Sequence, residues 1–142
     1  MSREHFEKLE RIYVAAPVNK LLHPKIVVSE GQAEISMAVQ EDFHHAAGAV
    51  HGSYYFKMLD DACFFAANSL ARDEFFYTAS FNVQLMRPVS AGALKAVGRV
   101  IREGRNMIFT EGTLEDDTGK EIARGSGLFA RSGVKLADVG ES

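Results

Sequence analysis

At 142 residues the chain has room for one domain of ordinary size and one sizeable core. Hydrophobic residues at 46% and charged residues at 25% exclude a disordered, collagenous or repeat-built chain. A formal net charge of −3 without a dense Lys/Arg stripe argues against a nucleic-acid partner, and a single cysteine, Cys63, requires no oxidising compartment.

The chain opens on charged residues with Phe6, Leu9, Ile12 and Tyr13 at three-to-four-residue spacing. That spacing predicts an amphipathic surface helix within residues 1–20. No apolar signal core precedes it, and the most apolar stretch, Tyr54 to Ala71, is broken by Lys57, Asp60, Asp61 and Asn68. Neither export nor a membrane span is therefore expected, and the expected address is cytoplasmic.

Lys25 to Ser29, a Glu30-Gly31 turn and the alternation of Ala33, Ile35, Met37 and Val39 predict a hairpin whose second strand buries one face. From His51-Gly52-Ser53 to Leu70 or Ala71 the chain holds no proline, and no glycine after Gly52. Its apolar residues point in nearly every direction, which predicts a long helix wrapped by other structure. Beyond Arg72-Asp73-Glu74 the period changes to two, with Tyr77, Ala79, Phe81, Val83 and Leu85 on one parity and Thr78, Ser80, Asn82 and Gln84 on the other. Pro88 ends this strand, and three more are expected near residues 93–102, 107–115 and 121–130, joined by turns rich in Gly, Asn and Asp. The four are expected to run as an antiparallel meander or a close variant, with a loose tail over residues 132–142. The whole reads as one α+β domain, a curled antiparallel sheet of five or six strands around one central helix.

Two features break the pattern of that helix. One is its start, His44-His45-Ala46-Ala47-Gly48-Ala49-Val50-His51-Gly52-Ser53; the other is Asp60-Asp61 inside the apolar run. Free N–H groups at a helix start could polarise a carbonyl that Gly52 lets approach, or Ser53 could simply cap the helix. Asp60 reads as a functional carboxylate and Asp61 as a rim residue paired with a cation, since consecutive positions point about 100° apart. Gly52 and Asp60 lie about 12 Å apart along the axis and cannot act on one carbonyl within one chain. Two chains with these helices antiparallel across a two-fold axis would join the start of one helix to the aspartate of the other.

The stretch His51-Gly52-Ser53-x6-Asp60, with His45 and Gly48 ahead of it, resembles the HGG-x6-D signature of hotdog-fold thioesterases of the phenylacetate-pathway type. The resemblance extends over Thr78 to Pro88, Gly92 to Arg105 and Glu111 to Phe129. It implies hydrolysis of an acyl-CoA thioester at a homodimer interface, with a dimer of dimers as a further arrangement. Gly52 N–H would bind the carbonyl, Asp60 of the partner chain would serve as general base or nucleophile, and Thr78 would assist the water. His45 stands where the family has Asn, and Ser53 where it has a second Gly; His51 would fix the turn. Arg87, Arg105 and Arg124 are the candidates for the CoA phosphates. CoA is part of the substrate, and no metal or other cofactor is expected: His44, His45, His51 and Asp60 match no zinc spacing, and Cys63 reads as a buried small hydrophobe. Aromatic bulk along the helix points to small, medium or aryl acyl groups. A non-catalytic acyl-CoA-binding module and an enoyl-CoA hydratase or dehydratase on the same fold are the alternatives.

Overall fold

A computed structural model describes residues 2–140. Helix α1 (Arg3–Ala15) is capped by Ser2, whose hydroxyl accepts from the His5 N–H, and it turns Phe6, Leu9, Ile12 and Tyr13 inward as their spacing requires. Strands β1 (Lys25–Ser29) and β2 (Gln32–Ala38) form the hairpin, helix α2 (Gly52–Asn68) follows, and β3 (Glu74–Leu85), β4 (Ala93–Glu103), β5 (Met107–Asp116) and β6 (Glu121–Lys135) complete the chain. All six strands form one antiparallel sheet in the order β1-β2-β4-β5-β6-β3 that curls around α2, which is the hotdog arrangement. Among the described residues no helix is long and apolar enough to cross a membrane.

The four C-terminal strands are not a simple meander. Only β4, β5 and β6 follow one another; β3 pairs with the far side of β6, Leu85 opposite Ala123 and Thr78 opposite Phe129. Residues 86–92 instead cross the end of the sheet and bind the helix start and the end of β2: Val89 O accepts from Val50 N–H at 2.9 Å, Arg87 O from the Tyr55 hydroxyl at 3.0 Å, and Gly92 O from Val39 N–H, just past β2, at 2.8 Å. The proline-bearing segment thus satisfies backbone groups on its way across rather than making a tight turn.

Two glycines let helix and sheet touch. Gly98 and Gly112 face each other across β4 and β5, and a Cβ on Gly98 would lie 2.5 Å from the Ala62 carbonyl carbon. The end of α2 is tied down by fully buried Asn68, whose amide donates to Phe64 O and Phe76 O and accepts from Phe76 N–H.

One more expectation is corrected. Strand β6 runs past Ser132 to Lys135 and Leu136 is buried, so the first part of the expected loose tail, residues 132–136, is held; Glu141 and Ser142 lie outside the described residues. Helix α2 is central as expected, and it leaves one stripe open, with Ser53 and Phe56 exposed and Asp60 and Phe64 half-buried. The stripe lies beside β3, an edge strand with one free side.

Candidate active site

Asp60 sits in the middle of α2, half-buried, and lines a cleft of about 450 Å³ walled by α1, α2 and β3. The aromatic residues Tyr13, Phe64, Phe65 and Phe75 line it, as do Asn19 and Val139. Thr78 Oγ1 donates to Asp60 Oδ1 at 2.9 Å. Burial holds the Asp60 carboxyl above its ordinary 3.8, and the neighbouring Asp61 adds to the effect, while the Thr78 hydroxyl and the Lys57 ammonium oppose it. The result is a carboxylate more basic than one in water, held in a fixed direction.

Asp61 has a different task. Its Oδ2 accepts from the Tyr13 hydroxyl at 2.8 Å and from Lys57 Nζ at 2.5 Å, which pins α1 onto α2 and closes one wall of the cleft. Burial and this carboxylate together raise the Tyr13 hydroxyl far above its usual range, so it remains a donor.

Gly52 opens onto a second, separate cleft of about 260 Å³ with His45, Val50, Tyr55, Leu85 and Arg87. As the first residue of α2 its N–H has no intrahelical acceptor. The expected Ser53 cap is corrected here: His51 is the N-cap, its Nδ1 accepting from the Ser53 N–H at 3.0 Å and meeting the Ser53 hydroxyl at 2.8 Å. His45 is exposed, and its Nδ1 accepts from Ala47 N–H at 3.0 Å, within a turn that Gly48 closes at φ +84°. His45 and His51 lie ring to ring at 6.5 Å.

The chain therefore gathers Asp60 with Thr78, and Gly52 with His45, His51, Ser53 and Gly48, but it does not join the two groups. It also separates the arginines. Arg87 lies beside Gly52, whereas Arg105 occupies the β4–β5 turn, at the sheet end marked by Tyr77, eight residues back along β3 from Leu85. Arg124 forks onto Glu121 at 2.8 and 3.0 Å. Among the described residues no three His, Cys, Asp or Glu side chains gather as metal ligands, and burial pushes the Cys63 thiol up to about 12, which leaves it an inert core residue.

Reading the sequence alone misses Tyr13, Lys57 and Asn19 as cleft residues. The i,i+4 spacing of Lys57 and Asp61 is a local signal for their ion pair. Nothing local marks Tyr13 and Asn19, which reach the cleft only because α1 docks there.

The profile of the thioesterase superfamily matches residues 47–123, more than half of the chain, from the loop before α2 to β6. The chain belongs to the thioesterase superfamily. Its enzyme class is accordingly thioester hydrolase. The fold of this superfamily member is shared with the Escherichia coli PaaI protein from the phenylacetic acid degradation operon, at TM-score 0.85 and 21% identity over 94% of this chain and 97% of that one. A Ralstonia eutropha protein named as related to phenylacetic acid degradation superposes with TM-score 0.78 and 27% identity over 89% and 98% of the two chains. A Saccharolobus solfataricus protein whose name marks it provisionally as an esterase is 26% identical over 129 residues, 89% of this chain and 86% of that one.

Proposed function

We propose that this thioesterase-superfamily member hydrolyses an acyl-CoA thioester with a small, medium or aryl acyl group, in the manner of the phenylacetate-pathway enzymes it resembles, using sites shared between two chains. The observation that carries this reading is the pairing of Thr78 with Asp60 in the wall of a largely apolar cleft, away from the separate cleft that holds the N–H of Gly52 that a thioester carbonyl needs. The half-open stripe of α2 and the free side of β3 lie together, and a second copy laid across them with its helix antiparallel would bring its Gly52 to this Asp60.

In that assembly the acyl group occupies the aromatic cleft and the thioester carbonyl accepts from Gly52 N–H. Asp60 takes a proton from a water oriented by Thr78, and the water oxygen bonds to the carbonyl carbon. The oxyanion that forms is stabilised by the same N–H and the partial positive charge of the helix start. Collapse breaks the C–S bond; the proton held by Asp60 passes to the departing thiolate, leaving free acid and CoA. The step as written calls for no metal or organic cofactor. His45 and Arg87 stand at the same helix start, where the leaving CoA would pass.

Mixed dimers test the proposal. Asp60→Asn and Gly52→Pro, which removes the N–H at a helix position that tolerates proline, should each abolish release of CoA from a panel of acyl-CoAs. Dimers holding one copy of each variant contain one complete site of the two and should recover about half the activity. Mixed dimers that stay inactive, an active monomer, or an Asp60→Asn protein as fast as the wild type would end this reading.

A further inference from the structure

After β6 the chain makes a short 3-10 turn (Leu136–Asp138), and the next residue, Val139, is half-buried, packs against the core and lines the cleft that holds Asp60. The turn is anchored at Leu136. Its N–H donates to Asp73 O at 3.0 Å, and its carbonyl accepts from Lys8 Nζ at 2.8 Å and from the Val139 N–H at 3.2 Å. Leu136 itself is buried, while Ala137, Asp138 and Gly140 are exposed.

These anchors fix the end from which the tail enters the cleft. Lys135 pairs with Glu74, which lies four residues before Thr78 on β3 and so about 13 Å back along the strand. Lys8 lies five residues before Tyr13 on α1, and α1 runs antiparallel to α2, since the Tyr13 hydroxyl meets Asp61 and the His5 ring meets Asn68 O. Both relations set Leu136 toward the C-terminal end of α2. The aromatic part of the cleft extends the same way: Phe64 and Phe65 follow Asp60 by about one helical turn, and Phe75 precedes Thr78 by three residues. An acyl group whose carbonyl carbon meets the water beside Asp60 and Thr78 therefore reaches along Phe64 and Phe75 toward Val139.

We infer that Val139 is a specificity-determining residue: the tail after β6 forms the end wall of the acyl cleft, and the isopropyl group of Val139 limits how long an acyl chain the site takes. The inference rests on the proposed hydrolysis at Asp60 and adds to it the residue that sets the length of the acyl group. Lys8 is a positioning residue here, because its bond to Leu136 O ties the turn that carries Val139 to α1. In an apolar pocket one methylene of fit changes kcat/KM by about tenfold or more, so a new side chain at the wall moves the preference between homologous chains.

The test follows kcat/KM along the saturated acyl-CoAs from butyryl to lauroyl. Val139→Ala should raise the ratio of long to short esters by about tenfold, and Val139→Phe should lower it by a similar factor. Should the phenylalanine variant not fold, Val139→Leu takes its place. Lys8→Met should raise the ratio in the direction of Val139→Ala by a smaller factor, a change that lost stability alone would not make, since that slows all esters alike; a ratio equal to that of the wild type overturns the role of Lys8. A ratio unchanged in both Val139 variants, or moved the same way by both, overturns the inference and leaves the hydrolase reading intact. Should the wild type cleave none of the esters, calorimetric binding of the same acyl-CoAs tests Val139 separately: opposite shifts of the long-to-short Kd ratio in the two variants support the inference, and equal ratios or no binding overturn it.

Discussion

The hydroxyl of Thr78 donates to the carboxylate of Asp60 at 2.9 Å, although Thr78 lies on the parity opposite to Phe81, Val83 and Leu85 in β3. A β-bulge resolves the conflict. Thr78 pairs with Phe129 and Ser80 with Leu128, so Ala79 is an extra residue that flips the alternation, and both Thr78 and Phe81 face α2. Phe81 then packs edge-on against Phe56, one turn ahead of Asp60. The bulge re-aims one side chain at the site without unpairing the strand.

The Thr78 hydroxyl holds the Asp60 carboxyl down against the larger effect of burial. Thr78→Val should therefore move the acid limb of the kcat/KM profile to higher pH, because the base then takes up its proton sooner as pH falls. At the plateau a drop of about tenfold is expected, the worth of one hydrogen bond to a charged group. A pH–rate profile checks both, and Thr78→Ser should restore the wild-type limb.

Lys57 acts on Asp60 in the same sense as Thr78 but more weakly, through charge alone. Removing it with Lys57→Met also strips Asp61 of its cation, and the bared carboxylate pushes Asp60 further up. The acid limb should shift upward by less than in Thr78→Val, and raising the salt concentration should shrink the difference from the wild type.

Asp60 should oppose folding at neutral pH. Its folded-state affinity for the proton exceeds the ordinary one, so the stability it contributes is complete below its usual 3.8 and is lost as pH rises through the elevated folded value. Asp60→Asn should accordingly melt higher than the wild type at neutral pH, and the gap should close as the pH falls toward 3.8. Melting curves across that range check it; a variant that melts lower at neutral pH contradicts the sign.

The glycine pair under α2 should respond unequally. A Cβ at Gly98 meets the Ala62 and Cys63 backbone at 2.5 Å, which no side chain can relieve, whereas a Cβ at Gly112 lies 3.0 Å from Cys63 Sγ. Gly98→Ala should lose about 2–3 kcal/mol of stability or fail to fold, and Gly112→Ala distinctly less. Urea unfolding of the two variants makes the comparison.

Local spacing was enough for both helices, for every strand but the long end of β6 to within a few residues, and for the helix start with its lone Gly52 and half-buried Asp60, because apolar periodicity and chain punctuation are properties of neighbours along the chain. It also separated Asp60 from Asp61, since two consecutive residues on a helix cannot share a face. What it left undecided depends on residues far apart in sequence. The placement of β3 beyond β6 is set by residues 86–92 binding the start of α2, and any of the four alternating strands would have satisfied a period of two.

The same distinction runs through the site. The order of residues along the chain suffices to place a carboxylate in an apolar helix eight positions after a glycine at its start, and helix geometry then forbids one chain from bringing them together. That Thr78 turns to meet the carboxylate emerges only in the folded molecule, because a bulge of one residue reverses a face that alternation assigns to the other side. Folding likewise makes Tyr13 and Asn19, on and just after the N-terminal helix, walls of the cleft, since docking of α1 through the Tyr13–Asp61 hydrogen bond joins segments 48 positions apart in sequence.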